Sequence, residues 1–203
     1  MKFYLISYLL TLCLSCLPFI GSEFQGSTAS HLLPEPDNTV ELLSFDNQGW
    51  YGNGKQITEI VKLYKVKTVI KVGCWLGSAE HQKGQYAYHP ILDRLYQQFP
   101  SNIIHAGLTD KIIPLRMDSL TAAPYLSTVL INPSDLIYID ASHDEKSVYD
   151  DMRAWHPLIK GYGVLCGDDW AWVSVQKAVR RFAQENKLSR ILLNHIELIH
   201  AKQ

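Results

Sequence analysis

A chain of 203 residues, 47% of them hydrophobic, is long enough for one domain with a buried core and too apolar for a disordered protein. The formal net charge is −1 and no Lys/Arg run stands out, which argues against nucleic acid or an anionic membrane surface as the main partner.

Lys2 precedes an uncharged, Leu-rich run, Phe3 to Ile20, then Gly21-Ser22-Glu23. Residues 1–25 read as a signal peptide, with an uncleaved N-terminal anchor as the rival. Cleavage would export the protein to the periplasm or the medium and leave no stable membrane span; without it the protein stays membrane-anchored. Cys13 and Cys16 would leave with that segment, and Cys74 and Cys166 read as free buried thiols at strand ends.

Residues 26–56 form an arm and a lid-like loop, Gly49-Trp50-Tyr51-Gly52-Asn53-Gly54; residues 57–203 form the main domain. Gln56 to Tyr64 suits a short helix. Thr68 to Val72 is a buried strand, followed by the turn Gly73-Cys-Trp-Leu-Gly77. His89 to Ile104 is helical, with Pro100 kinking or dividing it. Lys111 to Met117 is a strand ending at Asp118-Ser119, and Pro114 places it at or near a sheet edge.

The richest stretch follows. Asp135-Leu-Ile-Tyr-Ile-Asp140 is an apolar strand ending in a carboxylate, with His143 three residues on. Ser142-x-x-Glu145 is a capping-box pattern, and Val148, Met152, Trp155 and Ile159 make one apolar helix face. A Lys160-Gly-Tyr-Gly163 turn leads into the strand Val164-Leu-Cys166 and Gly167-Asp168-Asp169. Ser174 to Gln184 is a helix, and Arg190 to His200 a final strand. Strands alternating with helices predict an α/β fold with a mostly parallel sheet.

In a parallel sheet both strand ends reach one edge, so Asp140, Asp168, Asp169 and His143 converge there. Carboxylates suit a Mg²⁺-type ion, and an imidazole can move a proton. Capping and turn chemistry is the bland account of any one of these carboxylates. Three on neighbouring strand ends, with His143 in register, favour a site. Trp170 and Trp172 read as packing or pocket wall.

The words Val-Ile-Lys-Val-Gly-Cys-Trp-Leu-Gly (69–77), Ile-Pro-Leu-Arg-Met-Asp-Ser (113–119), Ile-Tyr-Ile-Asp-Ala-Ser-His (137–143) and Leu-Ile-Lys-Gly-Tyr-Gly-Val-Leu-Cys-Gly-Asp-Asp-Trp (158–170) resemble the class I S-adenosylmethionine-dependent methyltransferases. The resemblance is to the metal-dependent O-methyltransferase group related to macrolide-sugar and catechol O-methyltransferases. It implies a Rossmann-like, doubly wound sheet. It matches Gly73 and Gly77 to the turn that cradles S-adenosylmethionine, and Asp118 and Ser119 to the adenine-side loop. Asp140, Asp168 and Asp169 match ligands of Mg²⁺ or a similar divalent cation. His143 matches the base that takes the proton from the hydroxyl of a small-molecule acceptor.

The chain departs from that pattern twice, both times on the cofactor side. Lys71 stands where the family usually carries an acid, which puts a cation near the place of a sulfonium. The interval Ser78 to Lys111 holds essentially one helical region, so one strand and one helix are expected to be missing after the first glycine turn. An uncovered strand edge would result unless another segment fills it, and residues 27–48 are one candidate. Glu80 could substitute as a ribose ligand. The expected function is therefore metal-assisted O-methyl transfer to a small hydroxylated acceptor. The alternative is a degenerate, non-catalytic descendant serving as an exported binding protein. A metal-dependent hydrolase draws on the acidic cluster alone.

Overall fold

The computed structural model describes residues 2–6, 42–45, 53–73, 91–115, 117–130, 132–193 and 196–201. Seven strands form one sheet: β1 (Lys2–Ile6), β2 (Thr68–Val72), β3 (Ile112–Leu115), β4 (Ser134–Ile139), β5 (Ile159–Gly167), β6 (Leu188–Leu193) and β7 (Ile196–Ala201), in the order β3-β1-β2-β4-β5-β7-β6. The first five strands in that order run parallel; β7 is antiparallel to β5, and β6 to β7. The expected Rossmann-like α/β arrangement is what forms.

Among the described residues the helices are α1 (Gly54–Leu63), α2 (Ile91–His105), α3 (Ser119–Val129), α4 (Glu145–Trp155) and α5 (Val173–Glu185), with a 3₁₀ turn at His156–Leu158. Strand side chains alternate between two apolar clusters, as a sheet covered on both faces requires. Ile70, Val72, Ile137, Ile139 and Leu165 pack with residues of α3, α4 and α5, around the fully buried Trp155. Val69, Leu136, Tyr138, Val164 and Cys166 pack on the other face with Ile60 of α1.

The place beside β2 that the short interval was expected to leave empty is filled from elsewhere in the chain. No described strand from the interval between β2 and β3 lies beside β2; the N-terminal segment does. Lys2 to Ile6 pair with Thr68 to Val72 on one side, and Phe3 to Ile6 pair with Ile112 to Leu115 on the other. The candidate cover at 27–48 is not that strand, and most of it lies outside the described residues. An apolar, partly β-branched and aromatic run can satisfy a parallel sheet interior as readily as a leader's core.

Several local expectations shift for identifiable reasons. The helix after β4 is capped by Asp144, whose carboxylate accepts from Ser147 N–H at 2.9 Å; Ser142 supports it by donating to Asp144. Lys160 to Gly163 belong to β5 and form no turn. The segment Arg190 to His200 divides into two antiparallel strands. Pro100 lies inside α2 without dividing it, whereas Pro114 sits on the edge strand β3, as its missing N–H requires. Helix α3 carries Pro124 and no clear apolar stripe in its sequence, yet it buries Ala122, Ala123 and Leu126.

One buried polar network ties α3 to α4. Ser119 Oγ donates to Asp151 (2.5 Å) and accepts from Trp155 Nε1 (2.8 Å). Burial pushes the Asp151 carboxyl up to about 6, with the nearby carboxylates of Asp150, Asp144 and Asp118 adding to the rise. The protonated acid therefore favours the native state; its contribution is complete below about pH 4 and is lost as pH rises through about 6. Asp151→Asn should raise the melting temperature relative to wild type by an amount that grows from pH 4 to pH 7. The expected scale is ~1–3 kcal/mol at neutral pH. A difference that does not change with pH would contradict this assignment.

The pairing of β1 generates a second prediction. A chain beginning at residue 26 loses the strand between β2 and β3, and its thermal midpoint should fall by more than ~5 °C. Equal midpoints for the two chains would contradict the pairing.

Candidate functional site

Strand register determines which side chains meet at the C-terminal edge. Lys71 of β2 is paired with Tyr138 of β4, which is paired with Cys166 of β5. Two residues further along each strand come Gly73, Asp140 and Asp168. With the period-two alternation of strands, Lys71, Tyr138, Asp140 and Asp168 face α1.

The edge closes tightly at Gly73. Its φ is +79°, and a Cβ there would lie 2.1 Å from the Asp140 carbonyl oxygen. Asp140 N–H donates to Val72 O at 2.8 Å, so the two strand ends are pinned together. Glycine is needed for this contact whether or not a ligand approaches. Gly77 lies outside the described residues, as do Cys74 and Glu80.

Each of the three carboxylates has its own protein partner. Asp140 Oδ2 is 2.7 Å from Lys71 Nζ. Lys71 also donates to Gly73 O at 3.1 Å and lies 5.0 Å from the Tyr138 ring centre. Asp168 Oδ2 accepts from Asn53 Nδ2 (2.5 Å) and from the Tyr138 hydroxyl (3.2 Å), and Asp168 Oδ1 accepts from Asp169 N–H (2.8 Å). Burial raises the Tyr138 hydroxyl far above its ordinary value, with Asp140 and Asp168 adding to the shift, so it stays a neutral donor. Asp169 Oδ2 is 2.7 Å from His143 Nε2. Asp169 is held at φ +62°, a left-handed conformation uncommon for a residue other than glycine.

His143 is stacked on Trp172, with ring centroids 5.2 Å apart at 14°. Trp172 is exposed, so the pair forms an open aromatic wall beside the strand ends. Ser174 Oγ donates to the His143 carbonyl at 2.5 Å and ties the loop to α5. A crevice at the ends of β4 and β5 is lined by Asp140, Ala141, Ser142, Asp168, Asp169 and Trp170, together with Met152 and Val175.

The structure thus brings His143 and Asp169 into contact and sets Asp140 and Asp168 on the neighbouring strand ends. Asp118 and Ser119 stand apart from them. Asp118 caps α3, accepting from Thr121 N–H at 3.0 Å, and Ser119 joins the Asp151 network. Asn53 is a participant that composition and spacing do not single out; its only sequence signal is a place at the end of the glycine-rich loop. It is buried and donates to both Asp168 and Tyr138.

A divalent ion needs several oxygen donors turned to one point. Among the described residues no group of three or more His, Cys, Asp or Glu side chains is so arranged. Both oxygens of Asp168 are engaged, and Asp140 faces an ammonium. As they stand, these residues do not fit a divalent ion.

A parallel sheet with a tight glycine turn and a polar crevice at its C-terminal edge defines a Rossmann-like ligand-binding domain. The chain belongs to the family described as "methyltransferase domain", whose sequence profile matches residues 31–170. Solved structures agree with the fold. TomG, an O-methyltransferase of Streptomyces achromogenes solved with its S-adenosylmethionine, superposes with a TM-score of 0.54 at 14% identity, covering 80% of this chain and 82% of that one. A Staphylococcus aureus protein assigned as a caffeoyl-CoA O-methyltransferase gives 0.52 at 16% identity, over 72% and 82% of the two chains. A Klebsiella pneumoniae protein assigned as an O-methyltransferase gives 0.52 at 15%, over 78% and 84%. No curated protein matches the chain.

The hydrogen bond to Asp169 is the main cause that raises the His143 pKa above its ordinary value; partial burial opposes it, and the negative charges of Asp169, Asp140 and Asp168 reinforce it. An NMR titration of the full chain should find His143 titrating above the ordinary histidine value, and Asp169→Asn should move it down. An unchanged titration in the variant would contradict the pairing.

Proposed function

We propose that the protein transfers a methyl group from S-adenosylmethionine to a hydroxyl oxygen of a small acceptor, with His143 as the general base. The observation that carries the reading is the His143–Asp169 pair, set at the parallel sheet edge of a methyltransferase-family chain. The cofactor supplies an electrophilic methyl group; Gly73, Gly77, Asp118 and Ser119 are the residues that would hold it.

The chain's own part is proton handling and placement. Nε2–H donates to the Asp169 carboxylate, which leaves Nδ1 as the nitrogen that accepts the acceptor's hydroxyl proton. Asp169 then stabilises the imidazolium. The Trp172 stack fixes the ring plane, so the base is oriented before the acceptor arrives. Metal assistance through Asp140, Asp168 and Asp169, which the family resemblance implies, requires Asp140 to leave Lys71 and Asp168 to leave Asn53.

A second reading is favoured by one observation, the Lys71 ammonium at this edge: a methyltransferase-like protein without catalysis, serving as a binding protein. Export is proposed on the apolar run Phe3–Ile20, and it has to be squared with the pairing of Lys2–Ile6 in the sheet. N-terminal sequencing of the protein from its native host checks it directly: a start near residues 21–25 supports export, and an intact Lys2–Ile6 opposes it.

Methyl transfer from radiolabelled S-adenosylmethionine to a panel of catechols and sugars tests the catalytic reading. Activity on at least one acceptor is expected, falling ~10²–10⁴-fold in His143→Ala. Transfer that is unchanged in the variant would remove His143 from the role, and no transfer with any acceptor would favour the binding protein.

A further inference from the structure

We propose that Lys71 is the resident cation of this site: its ammonium satisfies Asp140 in place of a divalent ion and keeps such an ion out. The inference deepens the reading of the site given above and rests on it, but metal binding, its readout, does not depend on catalysis.

Among the described residues, three contacts hold the ammonium at the sheet edge. Nζ is 2.7 Å from Asp140 Oδ2, donates to Gly73 O at 3.1 Å and lies over the Tyr138 ring. The Lys71 side chain is only 16% exposed, so its charge is poorly screened by water. Strand register leaves little freedom in this. Lys71 and Tyr138 are paired neighbours, and Asp140, just past the end of β4, is the next residue on the same face, within reach of a lysine stem.

The remaining carboxylates are engaged in a way consistent with one positive charge from Lys71. Asp168 is satisfied by neutral donors, namely Asn53, Tyr138 and the Asp169 amide. Asp169 is satisfied by His143. Each acid has a protein partner, and Asp140, at the end of β4, has a full cation. A divalent ion entering beside Asp140 would meet an ammonium at a few ångströms, where like charges repel strongly in a partly buried setting. The acids come from neighbouring strand ends, as a cation site would need; the lysine at position 71 decides what cation they hold.

The test uses the full chain and Mn²⁺ alone, following the signal of free Mn²⁺ by electron paramagnetic resonance. Wild type should show no saturable binding up to millimolar Mn²⁺. Lys71→Met and Lys71→Gln should each bind at least about tenfold more tightly, and Asp140→Asn added to Lys71→Met should abolish the gain. Circular dichroism confirms that each variant is folded. Saturable binding by wild type that Asp140→Asn removes would overturn the proposal, even if neither lysine variant folded. Folded lysine variants that bind no better than wild type would overturn it too. A parallel titration with S-adenosylhomocysteine reports on the cofactor reading separately, so the two ideas can fail independently.

Discussion

The close approach of β2 to β4 at Gly73 and Asp140 is the constraint on which the site depends. A side chain at position 73 would collide with the Asp140 backbone, and the Asp140 amide is bonded to Val72. That contact fixes where β4 ends. It thereby fixes the positions of Asp140, of the loop that carries His143, and of the paired end of β5 with Asp168 and Asp169. It also sets Lys71 beside Asp140. The chemistry at the edge follows from a backbone contact that would form without any ligand.

Much of this was legible in the chain. Thr68–Val72 is a strand because Val69, Ile70 and Val72 put buried apolar groups on both faces, although Lys71 interrupts the run. The acid-ended strand, helix, acid-ended strand unit could be read from its apolar spacing and its terminal carboxylates. The edge position of β3 followed from Pro114, which lacks a donor. What escaped were features that depend on partners distant in sequence. Asn53 reaches Asp168 across 115 positions, and nothing local marks it. Helix α3 is built around small buried residues, Ala122 and Ala123, which leave no strong periodic signal. The cap at Asp144 displaced the expected one because two capping residues stood two positions apart.

The N-terminal strand shows how one composition can serve two purposes. An uncharged run of large apolar residues reads as a leader by itself, yet its described residues Phe3–Ile6 pair on both sides within the sheet. The gap expected between β2 and β3 is therefore closed by the N-terminal strand β1, and β2 has no exposed edge there. Local composition cannot distinguish these uses; the vacancy that a shortened interval creates can.

Charge is the other theme of the site. Three acids, one raised histidine and one lysine share a short length of sheet edge, and each acid is answered separately. Calorimetric titration of the full chain with S-adenosylhomocysteine is the most direct test of whether this edge still forms a cofactor site. The account predicts saturable binding in the micromolar range. A folded sample that gives no binding heat, and shows no binding by a second method, would contradict it and leave a methyltransferase fold turned to another use.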